Sequence, residues 1–143
     1  MEKDRGYIKV RSHRVEFPKD IKVIDRDVLM DLLEEYHFPS NSLYTEVSEV
    51  YIPSTVILIA DLAFSRCMGI ERVIIPKINS LKYIGHSAFF ECPGLKYFDF
   101  GFCTQLRLVD EYAFLNTQIK DQQICDIPCR EYVYYGHKLI GKK

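Results

Sequence analysis

Residues 83–95, YIGHSAFFECPGL, decide how the rest of the chain is read. His86, Ser87 and Cys92 stand close together there, and an imidazole, a hydroxyl and a thiol are the parts of a nucleophilic site. That reading requires the pattern to occur once, and it does not. LIADLAFSRCMGI ends at Ile70 and LVDEYAFLNTQI ends at Ile119. Ala63, Ala88 and Ala113 are 25 residues apart, as are Phe64, Phe89 and Phe114, and Ile59, Ile84 and Val109 keep the same period. His86 and Ser87 occupy variable positions, held by Asp61 and Leu62 in one copy and by Glu111 and Tyr112 in another. Cys92 repeats as Cys67 and is replaced by Thr117, the behaviour of a small packing residue. A period in this range marks stacked supersecondary units, so the Ala-Phe segments are expected to build a core and not an active site.

The units extend upstream. VYIPSTV and VIIPKIN each end a short apolar run with Ile-Pro, at Ile52-Pro53 and Ile75-Pro76, where the third copy has Phe100-Gly101. Degenerate copies flank these. VEFPKDIKVIDRDVL has Phe17-Pro18, then Ile24, with Val28-Leu29 at the Ala-Phe place, and ICDIPCREYVYYG has Ile127-Pro128 and Tyr135-Gly136. The order Ile-Pro, apolar, Ile-Gly, Ala-Phe, Cys, Leu resembles the BspA-like, or Treponema-type, leucine-rich repeat. The resemblance covers residues 15 to 136 and is strongest over 47 to 119; the third unit departs from it, with Val109-Asp110 for Ile-Gly and Thr117 for Cys. It implies a repeat solenoid, mostly β with short helical turns: a leucine-rich-repeat-like coil with an N-terminal amphipathic helix. The expected organisation is one structural domain in three parts. Residues 1–46 are an N-terminal cap of edge hairpin, degenerate repeat and helix, 47–119 are three repeats, and 120–143 are a C-terminal partial repeat.

Strand alternation assigns the side chains. In the first strand of each unit Val47, Val50 and Ile52 point inward, as do Ile70, Val73 and Ile75, then Leu95, Phe98 and Phe100, with Cys125 and Ile127 in a partial row. Two outward ladders remain: Glu49, Arg72, Tyr97, Ile124, and Tyr51, Ile74, Asp99, Asp126. In the second strand Val56, Ile59, Leu81, Ile84, Leu106 and Val109 face the core. Leu58, Tyr83 and Leu108 align outward, joined by Val23 and Tyr134. An exposed column of large apolar residues suggests a partner surface; coverage by the turns or simple cross-strand packing is the alternative. Phe64, Phe89 and Phe114 stack through the coil. An amphipathic helix is expected over 27–36, with Asp25 or Asp27 as N-cap and Pro39 beyond it, serving as a cap or a partner contact.

The other candidates are weaker. KVRSHR, residues 9–14, is the only basic cluster; it has no aromatic stacking platform beside it and also reads as the charged edge of a hairpin. Cys125 and Cys129 with His137 lack a fourth ligand for zinc. No phosphate loop, metal-protease motif or nucleophile elbow is present. A net charge of −1 gives no field for nucleic acid or an anionic membrane, and no apolar run is long enough to span one. Five cysteines, an odd number without framework spacing, suit a reducing compartment. MEKDRGYIKV has no apolar leader core, which gives the expectation of an intracellular location, in cytoplasm or a viral particle.

These observations predict a non-enzymatic protein-protein interaction module, with no catalytic residue, metal or cofactor and no small-molecule, nucleic-acid or membrane partner. The candidate partner-binding residues are Glu49, Tyr51, Arg72, Ile74, Tyr97 and Asp99 on one face and Leu58, Tyr83 and Leu108 on the other. The alternative is a structural or cement subunit of a larger assembly such as a virion or cytoskeletal complex. The resemblance includes proteins of bacteria, anaerobic protists and large DNA viruses, and a protist or viral protein is the expectation.

Overall fold

The computed structural model describes residues 9–11, 14–35, 47–125, 127–128, 132–135 and 138–141. Two sheets of short strands run along a coil. The first holds β1 (Lys9–Arg11), β2 (Arg14–Glu16), β4 (Glu49–Tyr51), β6 (Arg72–Ile74) and β8 (Tyr97–Phe98), in that order. The second runs β11 (Lys138–Gly141), β10 (Tyr132–Tyr135), β9 (Leu108–Val109), β7 (Tyr83–Ile84), β5 (Leu58–Ile59), β3 (Val23–Ile24). Pairing between coils is parallel; antiparallel hairpins lie at opposite ends, β1 with β2 and β10 with β11. A chain that alternates between two sheets, each coil in register with the last, is a solenoid.

The apolar period supplies the interior. Val50, Val73 and Phe98 are paired neighbours in the first sheet, and Ile24, Ile59, Ile84 and Val109 in the second; all are buried. Between the sheets Phe64 stacks on Phe89 at 5.2 Å and 8°, and Phe89 on Phe114 at 5.3 Å and 6°. Phe17 closes one end edge-on to Phe64 at 6.3 Å, and Phe98 and Phe100 pack edge-on to Phe114 at the other.

The Ala-Phe segments are turns that carry a third hydrogen-bond ladder. The N–H groups of Leu62, Phe64 and Arg66 donate to the carbonyls of His86, Ala88 and Phe90 in the next coil, at 3.0, 2.8 and 2.7 Å. The N–H groups between them bond locally, Ala63 to Ala60, Ser65 to Leu62 and Cys67 to Phe64. Ser87, Phe89 and Glu91 repeat the inter-coil pattern toward Glu111, Ala113 and Leu115. Every backbone donor from 62 to 67 is thus satisfied. The arrangement requires a left-handed backbone at two positions per coil: Leu62, Ser87 and Tyr112, then Arg66, Glu91 and Asn116, with φ between 55° and 62°.

At the cysteine position Cys92 bonds across coils and Thr117 within its own turn. The Cys92 thiol donates to the Phe64 carbonyl at 3.0 Å, while Thr117 donates to Phe114 and accepts from the Ile119 N–H. A hydrogen bond with Cys92, then burial, pushes the Cys67 thiol up from its ordinary range, so it stays protonated.

Helix α1 spans Arg26–Glu35, with Asp25 as its cap: Asp25 Oδ1 accepts from the Val28 N–H at 2.7 Å. The sequence placed it at 27–36; residue 36 and Pro39 lie outside the described residues.

The C-terminal end differs from expectation. Instead of a strand carrying Cys125 inward and Ile124 outward, residues Asp121–Cys125 form a short helix, α2, and Ile124 is buried. The Gln123 side chain explains the change. Its Oε1 accepts from the Lys120 N–H at 3.0 Å, half of a capping box, and its Nε2 donates to the Lys96 carbonyl at 3.4 Å. In earlier coils the matching carbonyls, Ser48 and Glu71, accept from the next strand's backbone. A side chain thus takes the place of the missing strand, and Ile124 turns into the open end of the core. In the second sheet Tyr132, not Tyr134, is in register with Leu108; the register shift between Val133 and Tyr134 pairs Tyr134 with Leu139.

Candidate interaction surface

The first question is whether the opening triplet assembles. Ser87 Oγ lies 3.1 Å from His86 Nδ1, but the serine is buried and its neighbour's ring packs edge-on against Tyr112 at 5.6 Å. Cys92 faces the core and uses its thiol on Phe64. Asp61, the nearest carboxylate in the hydrogen-bond pattern, accepts from the His86 backbone N–H and not from its ring. A nucleophile must be reachable and its base oriented, and these residues meet neither condition. They are coil structure.

The outer face of the first sheet is different. Register places Arg14, Glu49, Arg72 and Tyr97 in one row and Glu16, Tyr51 and Ile74 in the next. Glu49 sits between two guanidiniums: Arg14 Nε is 3.1 Å from its Oε1 and Arg72 Nη1 is 3.8 Å from its Oε2. Each arginine also covers a tyrosine ring, Arg14 over Tyr51 at 4.4 Å and Arg72 over Tyr97 at 4.8 Å. Arg14 Nη2 donates to the Tyr51 hydroxyl, and this bond, with Glu49 assisting, raises the guanidinium pKa further. The side chains are therefore held in place while still accessible; Tyr97 is 52% exposed. Exposed pairs of this kind add little stability, but they reduce the freedom lost when a partner binds.

Asp99 is committed elsewhere. Strand β8 ends at Phe98, and Asp99 Oδ2 accepts from the Ile75 N–H at 3.0 Å, the place a backbone carbonyl fills one coil earlier, where Ile52 donates to Ile74. Ile124, expected at the end of the first row, is absent from it because it lies in α2 and is buried in the core. Arg14 and Glu16 are the ladder members that the sequence reading missed. Aligning Phe17-Pro18 with Ile52-Pro53 places Arg14 opposite Glu49 and Glu16 opposite Tyr51, so the signal was present.

On the second sheet Val23, Leu58, Tyr83 and Leu108 do align outward in register; Val23 is exposed and the other three are half-buried. The basic segment at 9–14 divides: Lys9–Arg11 form β1, Arg14 joins the ladder, and Ser12 and His13 lie outside the described residues. Asp126, Cys129 and His137 also lie outside them. Among the described residues no group of three or more histidine, cysteine or acidic side chains could hold a metal, and no helix is long and apolar enough to cross a membrane.

A family model described as the BspA type leucine rich repeat region matches residues 9–139, in six copies. No curated protein and no solved structure matches the chain.

Proposed function

The chain belongs to the BspA-type leucine-rich repeat family, and on that premise we propose that it is a non-enzymatic binding module that grips a partner protein with the outer face of its first sheet. Membership of a leucine-rich repeat family suggests protein interaction in general; the choice of face rests on one observation. Arg14, Glu49, Arg72, Tyr51 and Tyr97 form a connected lattice of ion pairs and cation–ring contacts on rigid strands. Arginine and tyrosine dominate interface hot spots, and side chains already immobilised lose less entropy on binding.

Crosslinking with mass spectrometry, using the purified chain as bait in its native lysate, tests this. Crosslinks from the partner should concentrate on residues 14–16, 49–51, 72–74 and 97. Crosslinks confined to the second sheet or the turns would refute the assignment.

A further inference from the structure

We propose that the outer face of the second sheet is a separate docking surface for an acidic amphipathic helix of a partner protein, laid along the solenoid axis. This inference does not depend on the role of the first sheet.

Two parallel rows carry it. The apolar row is Val23, Leu58, Tyr83 and Leu108. The row beside it is set by backbone bonds between coils: Ile57 donates to Lys22 at 2.8 Å, Lys82 to Ile57 at 2.9 Å and Arg107 to Lys82 at 2.8 Å. Lys22, Ile57, Lys82 and Arg107 therefore line up, and all are exposed or half-exposed. No ion pair among the described residues engages Lys22 or Lys82. On the other flank the carboxylates of Asp25, Asp61 and Asp110 accept from the N–H groups of Val28, His86 and Glu111, which holds their negative charge in place there. Positive charge therefore lies along one side of the apolar stripe and negative charge along the other, so the acids of an occupant are confined to the lysine side.

The geometry favours a helix. The sheet face presents no spare backbone groups, since the strand N–H and C=O are used between coils, so strand addition is excluded there. Neighbouring strands stand about 4.7–4.9 Å apart and an α-helix rises about 5.4 Å per turn. Over the three steps from Val23 to Leu108 the two repeats drift by only about 2 Å. A helix of about eleven residues spans the row, with one apolar residue per turn, at i, i+3, i+7 and i+10, on Val23, Leu58, Tyr83 and Leu108. Glutamates beside that stripe then face Lys22 and Lys82. An anionic membrane is the poorer occupant: a broad negative surface would also meet Asp25, Asp61 and Asp110, whereas a helix can carry its acids on one side only.

The test uses the full chain and a labelled helical peptide of about 14 residues, with a leucine stripe and glutamates along one edge, read by fluorescence anisotropy. A counterpart with lysine for every glutamate, and vesicles of phosphatidylcholine with phosphatidylserine, are run alongside. The glutamate peptide should bind, more weakly as salt is raised, while the lysine peptide and the vesicles do not. Lys22→Glu with Lys82→Glu should weaken binding about tenfold, and the same charge reversal at exposed Lys77, which lies in neither row, should leave it unchanged. The proposal is overturned if the glutamate peptide fails to bind the wild-type chain, if both peptides bind equally, if the charge reversal has no effect in a folded variant, or if the vesicles bind in preference.

Discussion

Replacing Phe89 by alanine should cost more than any other single truncation in the phenylalanine stack. Phe89 is the middle ring, fully buried, with Phe64 stacked at 5.2 Å on one face, Phe114 at 5.3 Å on the other and Phe98 edge-on at 5.8 Å. Burying such a ring removes about 150–250 Å² from water, and a buried Phe→Ala change costs about 3–5 kcal/mol including the cavity. The site cannot collapse easily, because both stacked neighbours are anchored in coils held by three hydrogen-bond ladders. The upper end, about 5 kcal/mol, is therefore expected. Set against a typical domain stability of about 5–15 kcal/mol, that leaves a marginal fold. Urea unfolding followed by circular dichroism measures it; with a slope of about 1–3 kcal/mol/M the midpoint should fall by about 2 M or more. Phe102, 40% exposed and outside the stack, is the control and should cost under about 1 kcal/mol. Equal losses for the two variants would refute the stacked-core reasoning.

The turns and the buried thiols give three more expectations. Leu62 has φ 61° and is 51% exposed, so Leu62→Gly should stabilise by about 0.5–1 kcal/mol and Leu62→Val should destabilise, as thermal melts would record. A Cβ on Gly85 would lie 2.6 Å from the Asp61 backbone nitrogen and 2.8 Å from the Ala60 carbonyl carbon, so Gly85→Ala should cost about 1–3 kcal/mol by forcing two coils apart, measured by the same urea titration. Because Cys67 is held above its ordinary thiol value of 9.0, the unfolded chain ionises first as pH rises. This group's contribution is intact below that value and is lost above it. Iodoacetamide at mildly alkaline pH should accordingly leave Cys67 unmodified in the native protein and label it once urea is added; labelling in the native state would contradict the burial.

Much of the fold was legible because one period is written three times. With Ala63, Ala88 and Ala113 in register, every inward assignment from Val47 to Val109 follows from counting, and the structure buries all of them. The inter-coil ladder of residues 62, 64 and 66 was not legible: a left-handed backbone at Leu62 or Glu91 has no glycine to announce it. The C-terminal copy misled for a different reason. A strand and the five residues of α2 are too short for periodicity to separate, and the contact that selects the helix, Gln123 on Lys96, spans 27 residues. Tyr134 was misassigned because β10 pairs with β9 two residues earlier than the repeat count places it, with Tyr132 opposite Leu108. On the candidate surface the rows could be read from alternation alone, but the diversion of Asp99 into the backbone of Ile75 depends on where β8 stops.

The central claim, that the first sheet's arginine–tyrosine lattice is the binding face, is tested most directly by comparing capture of the crosslinked partner by three folded forms of the chain: wild type, Tyr51→Ala with Tyr97→Ala, and Tyr83→Ala on the opposite sheet. The account predicts that the tyrosine pair lowers affinity at least about tenfold while Tyr83→Ala retains it. Undiminished capture by the Tyr51→Ala, Tyr97→Ala form would contradict it.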